Sequence, residues 1–104
     1  MLKDIDFKSG KIEYDQFNIN FDISFKEQPE SLLEDLLQVN YQNRYIIDLG
    51  WYPEFDSNGN FILYIIGDYN WDRPIKTRKC REKKDLKNNL VEFVNIVENF
   101  LYQT

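Results

Sequence analysis

The chain has 104 residues, a net charge of −5 and an aromatic content of 16%, with no histidine, no alanine and a single cysteine, Cys80. That length is one domain, 1–104. Without histidine the commonest general base and metal ligand are missing, and one cysteine excludes an internal disulfide or a multi-cysteine zinc site, so the composition fits a small acidic binding protein better than an enzyme.

In chain order, residues 4–8 and 11–14 read as a short hairpin around Ser9-Gly10. From Phe17 to Phe25 the pattern alternates without a break. Phe17, Ile19, Phe21, Ile23 and Phe25 share one face and Asn18, Asn20, Asp22 and Ser24 the other, which predicts a half-buried strand. Pro29 suits the first turn of a helix, and Ser31 and Glu34 have capping-box spacing. With the stripe Leu32, Leu33, Leu36 and Leu37, this predicts a helix stopping near Asn40.

Residues 44–52 read as a strand with Tyr45, Ile47, Leu49 and Trp51 on one side. Residues 61–67 read as a second strand, apolar on both faces and therefore central, and Asn58-Gly59 supports a chain reversal between the two. Asp68 to Arg73 is a loop, Pro74 bars entry into a paired central strand, and residues 75–80 form a basic edge strand. Leu86, Leu90, Phe93, Val97 and Phe100 recur at helical spacing. The expected fold class is α+β: an antiparallel sheet of about four to five strands with two helices packed on one face, the longer helix C-terminal.

Charge is unevenly spread. Residues 1–72 carry five basic and fourteen acidic side chains, net −9, while residues 73–104 carry eight basic and four acidic, net +4. The acidic part attracts cationic partners and repels nucleic acid. The basic run (Arg73, Lys76, Arg78, Lys79, Arg81, Lys83, Lys84 and Lys87) reads first as a solvated strand and helix start. Charge is mixed into Met1–Asp6, where the apolar part of a signal peptide would sit, and the longest apolar run, Phe61–Ile66, is far short of a membrane span. A cytoplasmic protein is expected, and a lone cysteine is compatible with that.

No template for catalysis is complete. Cys80 beside Lys79 and Arg81 has neighbours that would lower its pKa, but it reads as a half-buried structural thiol. No glycine-rich phosphate loop is present, and no cofactor is expected. Asp48, Glu54, Asp56, Asp68 and Asp72 lie in or beside two loops, yet a domain with a thin sheet leaves little room for a deep sugar cleft. Counted as a calcium loop from Asp56, Phe61 and Gly67 stand where Gly and Glu are needed, so no metal site is expected.

A recognition surface remains. The loops 51–60 and 68–73 combine Trp51, Tyr52, Glu54, Phe55 and Asp56 with Asp68, Tyr69, Trp71 and Asp72, the mixture found at protein interfaces. Trp51 and Trp71 fit equally as core plugs or as anchors. If the strands 44–52 and 61–67 pair, the two loops lie at opposite ends of that hairpin, and one patch requires the chain to fold back.

The stretch Ile46-Ile47-Asp48-Leu49-Gly50-Trp51-Tyr52-Pro53-Glu54-Phe55-Asp56, then Gly59-Asn60-Phe61 and Asp72-Arg73-Pro74-Ile75, followed by an amphipathic C-terminal helix, resembles small bacterial immunity proteins. These accompany polymorphic toxins, including those of contact-dependent growth inhibition systems, and the resemblance covers residues 44–104. It implies a protein that binds a cognate toxin C-terminal domain, in many cases a basic nuclease, and blocks its active site or the approach of its substrate. It implies no catalytic residues. No membrane and no nucleic-acid partner are expected, and a monomer in a one-to-one complex is favoured over a dimer through an exposed sheet edge. Chosen by chemistry, the expected partner-binding residues are Tyr52, Glu54, Phe55, Asp56, Asp68, Tyr69 and Asp72. The alternative is a small nucleic-acid-binding regulator using the basic segment 73–87.

Overall fold

A computed structural model describes residues 2–103. Met1 and Thr104, the two ends of the expected 1–104 domain, lie outside the described residues. Five strands form one antiparallel sheet in sequence order: β1 (Lys11–Asp15), β2 (Leu37–Tyr41), β3 (Tyr45–Tyr52), β4 (Asn60–Gly67) and β5 (Lys76–Cys80). One α-helix, α1 (Lys83–Tyr102), follows. The class is the expected α+β with a long C-terminal helix, but only one α-helix exists among the described residues.

The expected second helix over 29–40 is replaced by a single 3₁₀ turn, Pro29–Ser31, and by β2. Backbone hydrogen bonds explain why. Leu36 donates to the carbonyl of Leu49 at 3.0 Å, Trp51 donates to Leu33 at 2.8 Å, and Phe55 donates to Leu32 at 2.7 Å. A helix here would leave those strand-end groups unpaired, a cost larger than the propensity it satisfies. Leu32, Leu36 and Leu37 are buried as expected, but by an extended chain.

The expected strand 17–25 is irregular chain. Its apolar side nonetheless faces the core: Ile19 is buried, and Phe17, Phe21 and Phe25 pack around Phe61 with ring centroids 6.0 to 6.4 Å apart. Ile23 departs from the pattern and is exposed. A partner strand is replaced by one buried side chain. Gln28 accepts from the Asn20 amide at 2.8 Å and donates to the Asn20 carbonyl at 2.7 Å and the Ser24 carbonyl at 3.3 Å. Asp15 and Asn20 add local turns by accepting from the amides two residues on, the habit that makes Asx residues compete with ladders. The expected hairpin of 4–8 with 11–14 is also absent: residues 2–4 form a 3₁₀ turn, and β1 pairs with β2 instead.

The sheet has one covered face. Leu37, Val39 and Tyr41 from β2, Ile47, Leu49 and Trp51 from β3, and Phe61, Leu63 and Ile65 from β4 are all at most 1% exposed there. Helix α1 lays Leu86, Leu90, Phe93, Val94 and Val97 on that face, the helical stripe read from the sequence. The Phe17–Phe25 segment closes the end around Trp51 and Phe61. Trp51 is therefore a core plug, with its indole N–H donating to the Asp56 carbonyl at 2.7 Å.

Candidate binding site on the open face of the sheet

Strand alternation sends every second residue to the opposite face, which no helix covers. The register aligns Tyr14, Gln38, Asp48, Tyr64 and Thr77 in one row across all five strands. Asp48 stands in the middle of that row, on the central strand. Its carboxylate accepts from Gln38 Nε2 at 3.0 Å, the one hydrogen bond it receives among the described residues. Two residues on, Gly50 offers no side chain; a Cβ there would lie 1.9 Å from the Glu34 carbonyl oxygen and 2.9 Å from Tyr52 Cε2. Glycine thus lets the Tyr52 ring and the 34–36 segment close over the strand beside Asp48.

The loop after β4 supplies the remaining wall. Asp68 and Tyr69 both take left-handed φ, 51° and 59°, and Asn70 donates to the Gly67 carbonyl at 2.9 Å, so the chain reverses within two residues. It then runs back across the open face, carrying Trp71 and Pro74 over Ile66. Ile46 and Ile66 are buried here although no helix lies above them. Tyr69 is anchored by its hydroxyl, which donates to Asn43 Oδ1 at 3.1 Å. The result is a cleft of about 600 Å³ that reaches Tyr52 at one end of the β3–β4 hairpin and Trp71 at the other. A smaller hollow of about 330 Å³ adjoins it beside Tyr69 and Ile46.

Asp48 is only 5% exposed. Burial, reinforced by the nearby Asp35 charge and opposed by the Gln38 hydrogen bond, pushes its pKa up to about 6. Burial, with Asp48 the strongest of the nearby charges, pushes the Tyr52 phenol up to about 12, so it stays a hydrogen-bond donor at neutral pH. No lysine or arginine among the described residues lines the cleft. At neutral pH the site is therefore an ionised, desolvated carboxylate without a cation, walled by aromatic rings. It has acceptors and ring faces but no nucleophile–base pair, and no group of three His, Cys, Asp or Glu side chains able to hold a metal exists among the described residues. Such an arrangement is chemically suited to a cation.

Of the expected partner-binding residues, Tyr52 lines the cleft and Tyr69 the adjoining hollow. Glu54 and Phe55 sit on the exposed β3–β4 loop, Glu54 accepting from the Glu34 amide at 3.2 Å. Asp56 shapes that loop by accepting from Trp51 and from the Asn58 amide. Asp68 and Asp72 belong to the exposed reversal loop. The foldback thus joins the two loops only through Tyr52, Tyr69 and Trp71. Asn58-Gly59 does not make the turn through a left-handed glycine; Phe55 takes the positive φ, 65°, and Gly59 instead permits close approach of the Tyr52 backbone.

Gln38, Asp35 and Tyr64 were hidden from sequence reasoning. The helical reading of 29–40 concealed the alternation Leu37-Gln38-Val39-Asn40-Tyr41. A charge inside the apolar strand at Asp48 was the signal available.

Elsewhere, Arg78 forks onto Glu92 at 3.0 and 3.2 Å, Lys87 pairs with Asp4 at 3.0 Å, and Arg81 lies 4.7 Å over the Phe25 ring. Three members of the basic run are therefore bonded within the fold. Burial pushes the Cys80 thiol up, against the lowering that Lys79 and Arg81 suggested. No helix among the described residues is long and apolar enough to cross a membrane. Comparison of the chain with family models, with curated proteins and with solved structures gave no match.

Proposed function

We propose that this protein is a cytoplasmic immunity protein that binds a cognate bacterial toxin domain one to one and blocks its active site or the approach of its substrate. The favoured target is a nuclease with a basic surface. One observation carries the reading: the sheet is closed by packing on one face and left open on the other, where a cleft walled by Tyr52, Tyr64 and Trp71 holds Asp35 and Asp48 with no lysine or arginine in its lining. Rigid rings around desolvated polar groups have the composition of an interface centre. The net charge of −9 over residues 1–72 would speed encounter with a basic partner and compete with its nucleic acid. The likeness of residues 44–104 to immunity proteins points the same way.

The test is a pull-down of the tagged protein against the product of the adjacent gene, followed by titration calorimetry and a toxicity assay. The expected result is a tight one-to-one complex that abolishes toxicity. Absence of any complex would end the reading.

A further inference from the structure

Resting on the toxin-binding reading, we infer that the open-face cleft is a socket for one arginine side chain of the partner domain, whose guanidinium pairs with the Asp48 carboxylate between the rings of Tyr52, Tyr64 and Trp71. Four observations converge. First, Asp48 is 5% exposed, yet it is in no ion pair: the two ion pairs among the described residues are Arg78–Glu92 and Lys87–Asp4. Leaving a buried carboxylate uncompensated costs stability, and a cation brought by a partner relieves that cost only in the complex. Second, the hydrogen bond from Gln38 Nε2 fixes one carboxylate oxygen and leaves the other, with the amide's own oxygen, as acceptors at the cleft floor. Third, Gly50 is kept bare where the Tyr52 ring lies back over the strand, so the wall is shaped beside the carboxylate. Fourth, Trp71 is 47% exposed although it is held over the sheet by the reversal loop.

Arginine fits better than lysine. A planar guanidinium stacks on aromatic faces and offers several donors to grouped acceptors, whereas an ammonium is a compact and more strongly hydrated charge. The groups facing Asp48 in the cleft are Asp35, Tyr52, Tyr64 and, from β5, Thr77, none of them cationic; the basic residues of the same sheet face, Lys11 opposite Asn40 and Lys79 opposite Ile62, are not in its lining. Occupancy should therefore require ionised Asp48 and fade on acidification.

The experiment uses the full chain, isotope-labelled for NMR and titrated with N-acetyl-arginine N-methylamide at pH 7.5 and pH 5. The uncharged citrulline analogue and the lysine analogue are run beside it. The arginine probe is expected to move the Gln38 side-chain amide and the Trp71 indole signal, leave the buried Trp51 indole in place, and bind more weakly at pH 5. Asp48→Asn should weaken binding by about tenfold or more, whereas Asp22→Asn, with the same change in net charge, should not. Equal shifts with citrulline, equal binding by Asp48→Asn, or no localised shift would overturn the socket. Equal or tighter binding of the lysine analogue would overturn the choice of arginine. The two proposals also fail separately. A complex with the adjacent gene product that Asp48→Asn leaves at full affinity removes the socket and keeps the immunity reading. Specific arginine binding with no such complex removes the immunity reading and keeps the socket.

Discussion

On the covered face of the sheet, Val39, Ile47, Leu49, Leu63 and Ile65, all apolar, are fully buried beneath α1 and against one another. On the open face the same strands present Gln38, Asp48, Tyr64 and Thr77 in one row. The two faces share a backbone, a register and a twist, so the difference lies in the side chains alone. Covered-face residues are explained by what they contribute to folding. Asp48 is not: a buried carboxylate with one hydrogen bond opposes folding at neutral pH. A residue that weakens the fold at the centre of a sheet marks a site shaped for something other than stability.

The sharpest contrast is between the two tryptophans and the aspartate. Trp51→Ala should lose about 4 kcal/mol, because the ring is fully buried and its N–H holds the β3–β4 loop; urea unfolding reads this directly. A loss below about 1 kcal/mol would mean that the covered face is not the core.

Asp48→Asn should move stability the other way. Its folded pKa of about 6 is raised above the ordinary 3.8, so the folded chain holds the proton more tightly. The stability linked to that proton is complete below the ordinary value and is lost as pH rises through about 6. The variant should therefore gain roughly 3 kcal/mol at pH 8 and nothing at about pH 3.5. A gain independent of pH would place the effect outside the titration.

Gln28→Ala tests how the covered face is closed beyond the helix. It strips partners from the Asn20 amide and carbonyl and should cost about 2 kcal/mol, with hydrogen exchange rising first across residues 17–25. Unchanged exchange there would show that the phenylalanine packing holds this segment alone.

The smallest effect on folding is expected at Trp71. Trp71→Ala should change stability by less than about 1 kcal/mol while weakening the partner complex by about tenfold, a split that calorimetry and unfolding together resolve. Equal losses in both would make Trp71 a second core plug.

Much of this architecture was legible in the residues themselves. The strand over 44–52 and the C-terminal helix follow from periodicity, the strand over 61–67 from an apolar run, and the edge strand 75–80 from Pro74 and its basic side chains. For Phe17–Phe25 and Leu32–Leu37 the sequence determined burial but not conformation. The apolar side of each segment packs inward almost as alternation or stripe predicted, yet neither is the element the pattern implied. Burial depends on side-chain type, which the sequence states. Conformation depends on where backbone N–H and C=O groups find partners, and here those partners are the Gln28 side chain and the ends of β3.

The candidate site divides in the same way. Composition marked Tyr52 and Tyr69 as recognition residues and counted Asp48 only among the carboxylates in or beside the two loops. Only the tertiary structure, through the left-handed reversal at Asp68 and Tyr69 and the cross-strand register of Gln38, Asp48 and Tyr64, brought residues about 25 positions apart into one cleft. Register and loop reversal are properties of paired strands, so no single stretch of sequence carries them.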